Sequence, residues 1–353
     1  MSRKPFIHAI ERRSHGFLGR AFCHSHVLFR MRVSRGAKRW ESGMENPEKG
    51  AHYRQLLKRA EGLQAIRTAV VHPVDTVSLT GAVEAAKAKL IVPVLVGPEN
   101  KIRAAAEAAK IDLAPFELVG AEHSHAAAEK AVELVKSGSA EALMKGSLHT
   151  DEFMHAIVAE PMLRTARRMS HVFLIDAPLY PRPLYLSDAA INIYPALDDK
   201  RDIIQNAIDL AHVLGLDAPK VAILSAVETV TEKLKSTIDA AALCKMADRG
   251  QITGGVLDGP LAFDNAVSPE AAKTKGIVSP VAGQADIFIV PDIEAGNMLA
   301  KQLEYLADAD LAGIVLGARV PVILTSRADQ TLARLSSCAV ALLLARHKEK
   351  LVP

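Results

Sequence analysis

Residues 78–110 read SLTGAVEAAKAKLIVPVLVGPENKIRAAAEAAK. Ser78–Lys89 is rich in Ala, with apolar positions at helical spacing. Leu90–Val96 is apolar and β-branched, Gly97-Pro98 ends it, and Lys101–Lys110 returns to helical spacing. Helix and strand taken in turn in this way indicate βαβ units, and hence an α/β fold whose sheet is mostly parallel.

The same alternation extends in both directions. Toward the N-terminus, Leu56, Leu57, Ala60 and Leu63 predict a helix over Tyr53–Gly62, followed by a strand at Thr68–His72 that Pro73 stops. Toward the C-terminus, helices are predicted at Ser124–Ser137, Thr150–Ala159, Asp199–Leu214, Ser236–Arg249, Pro269–Lys275, Gly296–Tyr305 and Thr331–Ala345. Strands are predicted at Ala142–Met144, Val172–Asp176, Val221–Leu224, Gly255–Leu257, Ile287–Val290, Gly313–Leu316 and Val322–Leu324. So many short strands exceed one ordinary domain, and the expected packing is two α/β domains whose sheets flank a cleft. A chain of 353 residues with 49% apolar content is long enough for two cores.

Composition narrows the function. With 43 Lys+Arg against 40 Asp+Glu, the bulk charge asks for neither nucleic acid nor membrane. Apolar runs such as Ala339–Ala345 fall short of the ~20 residues that cross a bilayer. Cys23, Cys244 and Cys338 are odd in number and far apart, so neither a disulfide framework nor a thiolate metal site is expected. A soluble protein of the reducing cytoplasm fits. Residues 1–43 stand apart: ten Lys and Arg, from Arg3 to Arg39, face only Glu11 and Glu41. A transit peptide, a disordered basic arm and translated upstream sequence all fit that bias, and the folded unit is expected to begin near Met44.

In open α/β sheets, ligands bind beyond the carboxyl ends of strands, where loops and helix N-termini present backbone amides. Lys145-Gly146-Ser147-Leu148-His149-Thr150 follows a strand and opens a helix, as an anion pocket would; a turn capped by Thr150 is the structural alternative. Asp258 leads into Gly259-Pro260, either as a chemical group or as a loop tie. Asn297 follows Ala295-Gly296 and either bonds a ligand or caps a helix. After the last strand, Thr325-Ser326-Arg327-Ala328-Asp329 sets a hydroxyl, a guanidinium and a carboxylate before the final helix. The guanidinium fork suits phosphate, and a carboxylate beside it suits general base work; capping is again the alternative.

These clusters are similar to the phosphate acetyl/butyryltransferase family. The resemblance rests on Met144-Lys145-Gly146, His149-Thr150, Leu163-Arg164-Thr165, Ser170-His171-Val172, Ser187-Asp188-Ala189-Ala190-Ile191-Asn192, Lys245–Ile252, Asp258-Gly259-Pro260-Leu261, Ala295-Gly296-Asn297 and Leu324–Asp329, in the family's order. It implies two α/β domains flanking a cleft, an architecture shared with isocitrate- and isopropylmalate-dehydrogenase-like enzymes. The first domain would comprise 44–150 and 304–353, and the second 151–303. It also implies acyl transfer between coenzyme A and phosphate, with coenzyme A as substrate, no further cofactor, no metal, and assembly as a homodimer or larger.

Ser326 and Arg327 match the family's pair at the cleft, and Asp258 and Asn297 match positions lining it. Lys145, Gly146, His149, Thr150, Arg164 and Asp188 belong to matched motifs and are the candidate substrate-binding residues. The acetyl-specific branch has its aspartate seven residues after the serine, where this chain has Ala333; Asp329, three after, fits the butyryl-like branch. The acetyl-specific branch also has an arginine seven residues after the histidine, where this chain has Ala156, and Arg164 is the candidate to supply the charge. Two rivals remain: a dehydrogenase of the same architecture, although no Gly-x-Gly-x-x-Gly follows a strand, and a non-catalytic acyl-CoA or phosphate-binding regulator.

Overall fold

A computed structural model of the chain describes residues 48–325 and 330–351, so the expected N-terminal extension, 1–43, lies outside them. The strands are β1 (Ile66–Val71), β2 (Ile91–Gly97), β3 (Glu117–Gly120), β4 (Ala142–Lys145), β5 (Ser170–Asp176), β6 (Leu184–Ser187), β7 (Lys220–Leu224), β8 (Val256–Leu261), β9 (Ile287–Ile289), β10 (Asp310–Leu316) and β11 (Val322–Ile323). The helices are α1 (Ala51–Ala60), α2 (Thr76–Lys87), α3 (Glu99–Ala109), α4 (Ser124–Lys136), α5 (Thr150–Ala159), α6 (Leu197–Val213), α7 (Lys235–Asp248), α8 (Phe263–Val267), α9 (Pro269–Thr274), α10 (Ile293–Leu306) and α11 (Thr331–Leu351).

Local chemistry sets several boundaries. Asp75 starts α2 by accepting from the Ser78 amide at 2.7 Å, and Asp292 starts α10 by accepting from the Ala295 amide at 2.9 Å. Each carboxylate satisfies an amide that the helix leaves without a partner and sits at the positive end of the helix dipole. Asn297 is therefore inside α10, and the capping alternative for it is set aside. Helix α5 is preceded by His149, so Thr150 is its first residue rather than its cap.

All eleven strands join one sheet, in the order β3-β2-β1-β4-β11-β10-β5-β6-β9-β7-β8. This corrects the expectation of two separate sheets. Pairing is parallel except at β11/β10, β10/β5 and β5/β6, so two parallel halves point in opposite directions and meet through antiparallel strands. Two strands are additions to the sequence reading. In β3 only Leu118 and Val119 are apolar, and β6 is four residues long and follows Pro181 and Pro183, so neither carries a usable period.

The sheet's two faces are packed differently. On one, a continuous core runs from α1, α2 and α11 to α6 and α7, holding Ile66, Val70, Met144, Val172, Leu174, Ile223, Ala312 and Ile314. The Tyr53 hydroxyl of α1 fastens that side by donating to the carbonyls of Leu174 at 2.6 Å and Asp310 at 2.8 Å. On the other face the core is split in two. One cluster packs α4 and α5 on β1, β2 and β4; the other packs α10 and the segment around Val281 on β6, β7 and β9. Side chains alternate between faces along a strand. That places His171, Phe173, Gly313 and Lys145 on the divided face, near where the sheet's two halves meet.

Candidate active site

Lys145 ends β4, is 9% exposed, and donates to the carbonyls of Leu148 at 3.1 Å and Gly146 at 3.3 Å. The Gly146 and Ser147 amides donate to the Val71 and His72 carbonyls, each at 2.9 Å, so the loop after β4 is pinned to the exit of β1. Gly146 has no room for a side chain, because a Cβ there would run into the Val71 carbonyl oxygen. Lys145, Gly146, His149 and Thr150 thus form one structural group, with His149 exposed at the start of α5. Such a loop presents a cation and the open amides of a helix N-terminus, a combination suited to an anion.

Register separates this group from Asp188. Met144 pairs across β11, β10 and β5 to Val172, which faces Ser187, so β4 and β6 are four spacings apart, ~19 Å along the sheet. Asp188 is 3% exposed and closes its own turn: Oδ1 accepts from the amides of Ala190 at 2.9 Å and Ile191 at 3.1 Å. Oδ2 accepts from the Asn192 amide at 3.2 Å and from its side chain at 2.5 Å. Burial raises its carboxyl above the ordinary aspartate range, against those donors. Helix α10 rests on the same turn through Gly296, and the Asn297 side chain donates to the Ala189 carbonyl at 3.3 Å. Asp188 and Asn297 are therefore together, apart from Lys145.

Arg164 and Asp258 lie elsewhere. Arg164 is exposed, bridges Ala318 below the end of β10, and donates from Nε to the Val158 carbonyl at 2.7 Å, at the opposite end of the strands from Lys145. Asp258 does not follow a strand, as the sequence reading had it, but lies within β8 at the sheet's edge, and its carboxylate accepts from the Gly259 amide at 2.8 Å. Six spacings separate β8 from β11, ~29 Å along the sheet. Ser326, Arg327 and Asp329 lie outside the described residues.

Two cavities border this region. One of about 200 Å3, lined by Lys49, Tyr305, Asp310 and Gln330, adjoins the start of α11. A larger one, about 570 Å3, opens at the β10–β11 hairpin, at the far end from Lys145. Much of its polar lining is already engaged: Arg167 pairs with Asp209, the Asn206 side chain donates to Ser170 Oγ at 2.9 Å, and His212 Nε2 meets the Gly254 carbonyl at 2.7 Å. What it offers a ligand is largely apolar, which does not suit a phosphoryl group.

His171 is the residue the sequence reading passed over. It lies in a motif of the resemblance, but an apolar run concealed it as a core position. It is fully buried, stacks edge-on against Phe173 with centroids 4.3 Å apart, and neither ring nitrogen has a hydrogen-bond partner. An unsatisfied buried polar group costs ~1–3 kcal/mol, so its retention asks for a reason. Burial pushes its pKa down to about 3. The unfolded chain therefore takes up a proton below about 6.5 that the folded chain refuses, and stability falls as pH drops from there toward about 3. The slope is up to ~1.4 kcal/mol per pH unit. In denaturant melts between pH 6.5 and 4.5, His171→Phe is expected to flatten the dependence by that amount; an unchanged slope would contradict a neutral buried imidazole.

Cys244 and Cys338 are free, and burial pushes both thiols up to about 12, so neither is poised as a thiolate nucleophile. Among the described residues, no group of three or more His, Cys, Asp or Glu is placed to hold a metal ion, and no helix is long and apolar enough to cross a membrane.

Residues 124–342 match the phosphate acetyl/butaryl transferase family. The chain belongs to this family. It is 60% identical to the phosphate acetyltransferase of Rhizobium meliloti over 303 residues, covering 86% of this chain and 96% of that one. Over 297 residues it is 41% identical to the phosphate butyryltransferase of Clostridium acetobutylicum, covering 84% and 99%. Among solved structures it is similar to a branched-chain phosphotransacylase from Enterococcus faecalis V583, with TM-score 0.69 and 29% identity, covering 79% of this chain and 99% of that one.

Proposed function

We propose that the protein is a phosphate acyltransferase, which moves an acetyl or butyryl group between coenzyme A and inorganic phosphate. The observation that carries this is the family match over residues 124–342, together with relatives of both names that align along nearly their whole length. The coenzyme A thiolate attacks the carbonyl carbon of an acyl phosphate, a C–S bond forms, the C–O bond to phosphate breaks, and phosphate leaves with the electron pair. The reverse reaction retraces these steps. Positioning and charge stabilisation suffice, with no covalent acyl-enzyme.

In this reading Arg327 binds the phosphoryl group, Ser326 donates to the developing oxyanion, and Asp329 accepts the thiol proton. Lys145 adds positive potential at the end of β4. The divided face supports two lobes around a cleft, 44–150 with 304–353 and 151–303, as in isocitrate- and isopropylmalate-dehydrogenase-like enzymes. We also propose cytoplasmic residence, assembly as a homodimer or larger, no cofactor beyond coenzyme A as substrate, and no nucleic-acid or membrane partner.

The reading is tested by thiol release from acetyl-, propionyl- and butyryl-CoA that depends on phosphate; release without phosphate, or none, would reject it. Arg327→Lys is expected to lose ~10-fold or more in efficiency toward phosphate, at least ~1.4 kcal/mol of transition-state stabilisation, because an ammonium lacks the two-pronged fork. Equal efficiency for the two enzymes would place the phosphate elsewhere.

A further inference from the structure

The divided face of the sheet has His171 and Gly313 at its middle, and the chain leaving β11 passes directly over them. A Cβ built on Gly313 would stand 2.5 Å from the Leu324 carbonyl oxygen and 2.7 Å from His171 Nε2, so those two atoms lie within about 5 Å of each other across a space that only glycine leaves open. The rest of His171 is held firmly. Its carbonyl accepts from the Ser187 hydroxyl at 2.8 Å, its amide donates to the Asp188 carboxylate, and its ring is wedged against Phe173. The ring is thus fixed in place with a donor and an acceptor both unused, aimed at the backbone that leads from the last strand into the final helix.

We infer that His171 is a positioning residue for the Leu324–Thr325 segment, its Nε2–H serving as the donor that fixes the Leu324 carbonyl when that segment takes its working conformation. The inference rests on the reading above, in which the residues following Thr325 carry the chemistry. A neutral imidazole has one donor and one acceptor and holds no positive charge that would compete with Arg327 for phosphate. A buried, unpaired donor is a reservoir that a small shift of the neighbouring backbone relieves, and this ties the geometry of the segment to the sheet's centre.

The test uses the full chain and compares His171→Phe with His171→Gln. Phe keeps a ring of similar size against Phe173 and removes both nitrogens; Gln replaces the ring but keeps an N–H donor of similar reach. A positioning role predicts that His171→Phe loses ~10-fold in kcat, with KM for acyl-CoA and phosphate within about twofold and a melting temperature equal or higher. His171→Gln should recover most of that kcat despite poorer packing, an order that a purely structural role would reverse. Phe within about twofold of wild type, or Gln no better than Phe, overturns the inference. If instead Ser326→Ala and Arg327→Lys both leave turnover intact, the reading of the site itself fails, and this inference falls with it.

Discussion

Asp329→Asn is expected to lower turnover ~100-fold or more, because the amide cannot take the proton that the coenzyme A thiol must lose before it attacks. Free thiols ionise near pH 8.5, so at neutral pH a base within reach governs how much attacking thiolate is present. The competing role for Asp329 is electrostatic: it precedes Thr331, the first residue of α11, by two positions, where a negative charge favours the helix dipole. Loss of that role alone would cost up to ~1 kcal/mol of stability and leave turnover near normal. Turnover and melting temperature measured on the same variant separate the two. A base also predicts that the deficit shrinks as pH rises toward the thiol's own ionisation, since solvent then removes the proton unaided. A deficit constant from pH 6.5 to 9 would point to a structural effect, and a variant that only melts earlier would take the role from Asp329. Asp258, the other carboxylate proposed for the role, lies in β8, six strands from β11, and accepts from the Gly259 amide.

The α/β class was legible because Leu90–Val96 is buried along most of its length, and burial on both faces makes a strand read as an unbroken apolar run. Helix α5 lies at its expected limits, Thr150–Ala159, since its apolar positions keep helical spacing and Glu160-Pro161 stops it. What could not be read were features that depend on which strand lies beside which. Local pattern carries no information on whether β11 pairs with β10, yet that antiparallel junction merges the two parallel halves into one sheet. For the same reason Asp188 and Lys145, both polar and both next to an apolar run, looked equivalent in sequence but stand four strands apart. Asp258 was misjudged because Gly259-Pro260 reads as a turn, whereas β8 continues to Leu261 with Pro260 on an edge strand, where a missing amide is tolerated. His171 was hidden by its neighbours: amid Val172, Phe173, Leu174 and Ile175 it reads as a core histidine, and only the contacts across β10 reveal its unused nitrogens.

Gly313→Ala should be a strongly damaging single-methyl change near the sheet's centre. The added carbon would stand 2.5 Å from a backbone oxygen and 2.7 Å from a ring that is itself wedged, so neither neighbour is the free end of a flexible side chain that can swing away. The relief must come from backbone movement of β10 or of Leu324. Strand β10 is held on both sides, by seven register pairs with β5 and by β11, and the Gly313 amide donates to Ser337 Oγ of α11 at 3.0 Å. Leu324 has one strand neighbour and leads out of the sheet, so it is the part that gives. Overpacking of this kind costs ~1–3 kcal/mol of stability. Displacing the segment that carries Ser326 and Arg327 by about an ångström is expected to cost on the order of 10²-fold in turnover. The two effects are separable in the double variant with His171→Ala. Removing the ring relieves one of the two collisions and should restore part of the melting temperature. The clash with the Leu324 oxygen persists, so turnover should stay well below that of His171→Ala alone, which lacks only the His171 donor. Turnover equal to that of His171→Ala alone would mean that Gly313→Ala had displaced only the imidazole. Near-normal turnover in Gly313→Ala itself would mean that the path of Leu324 is not coupled to the reaction.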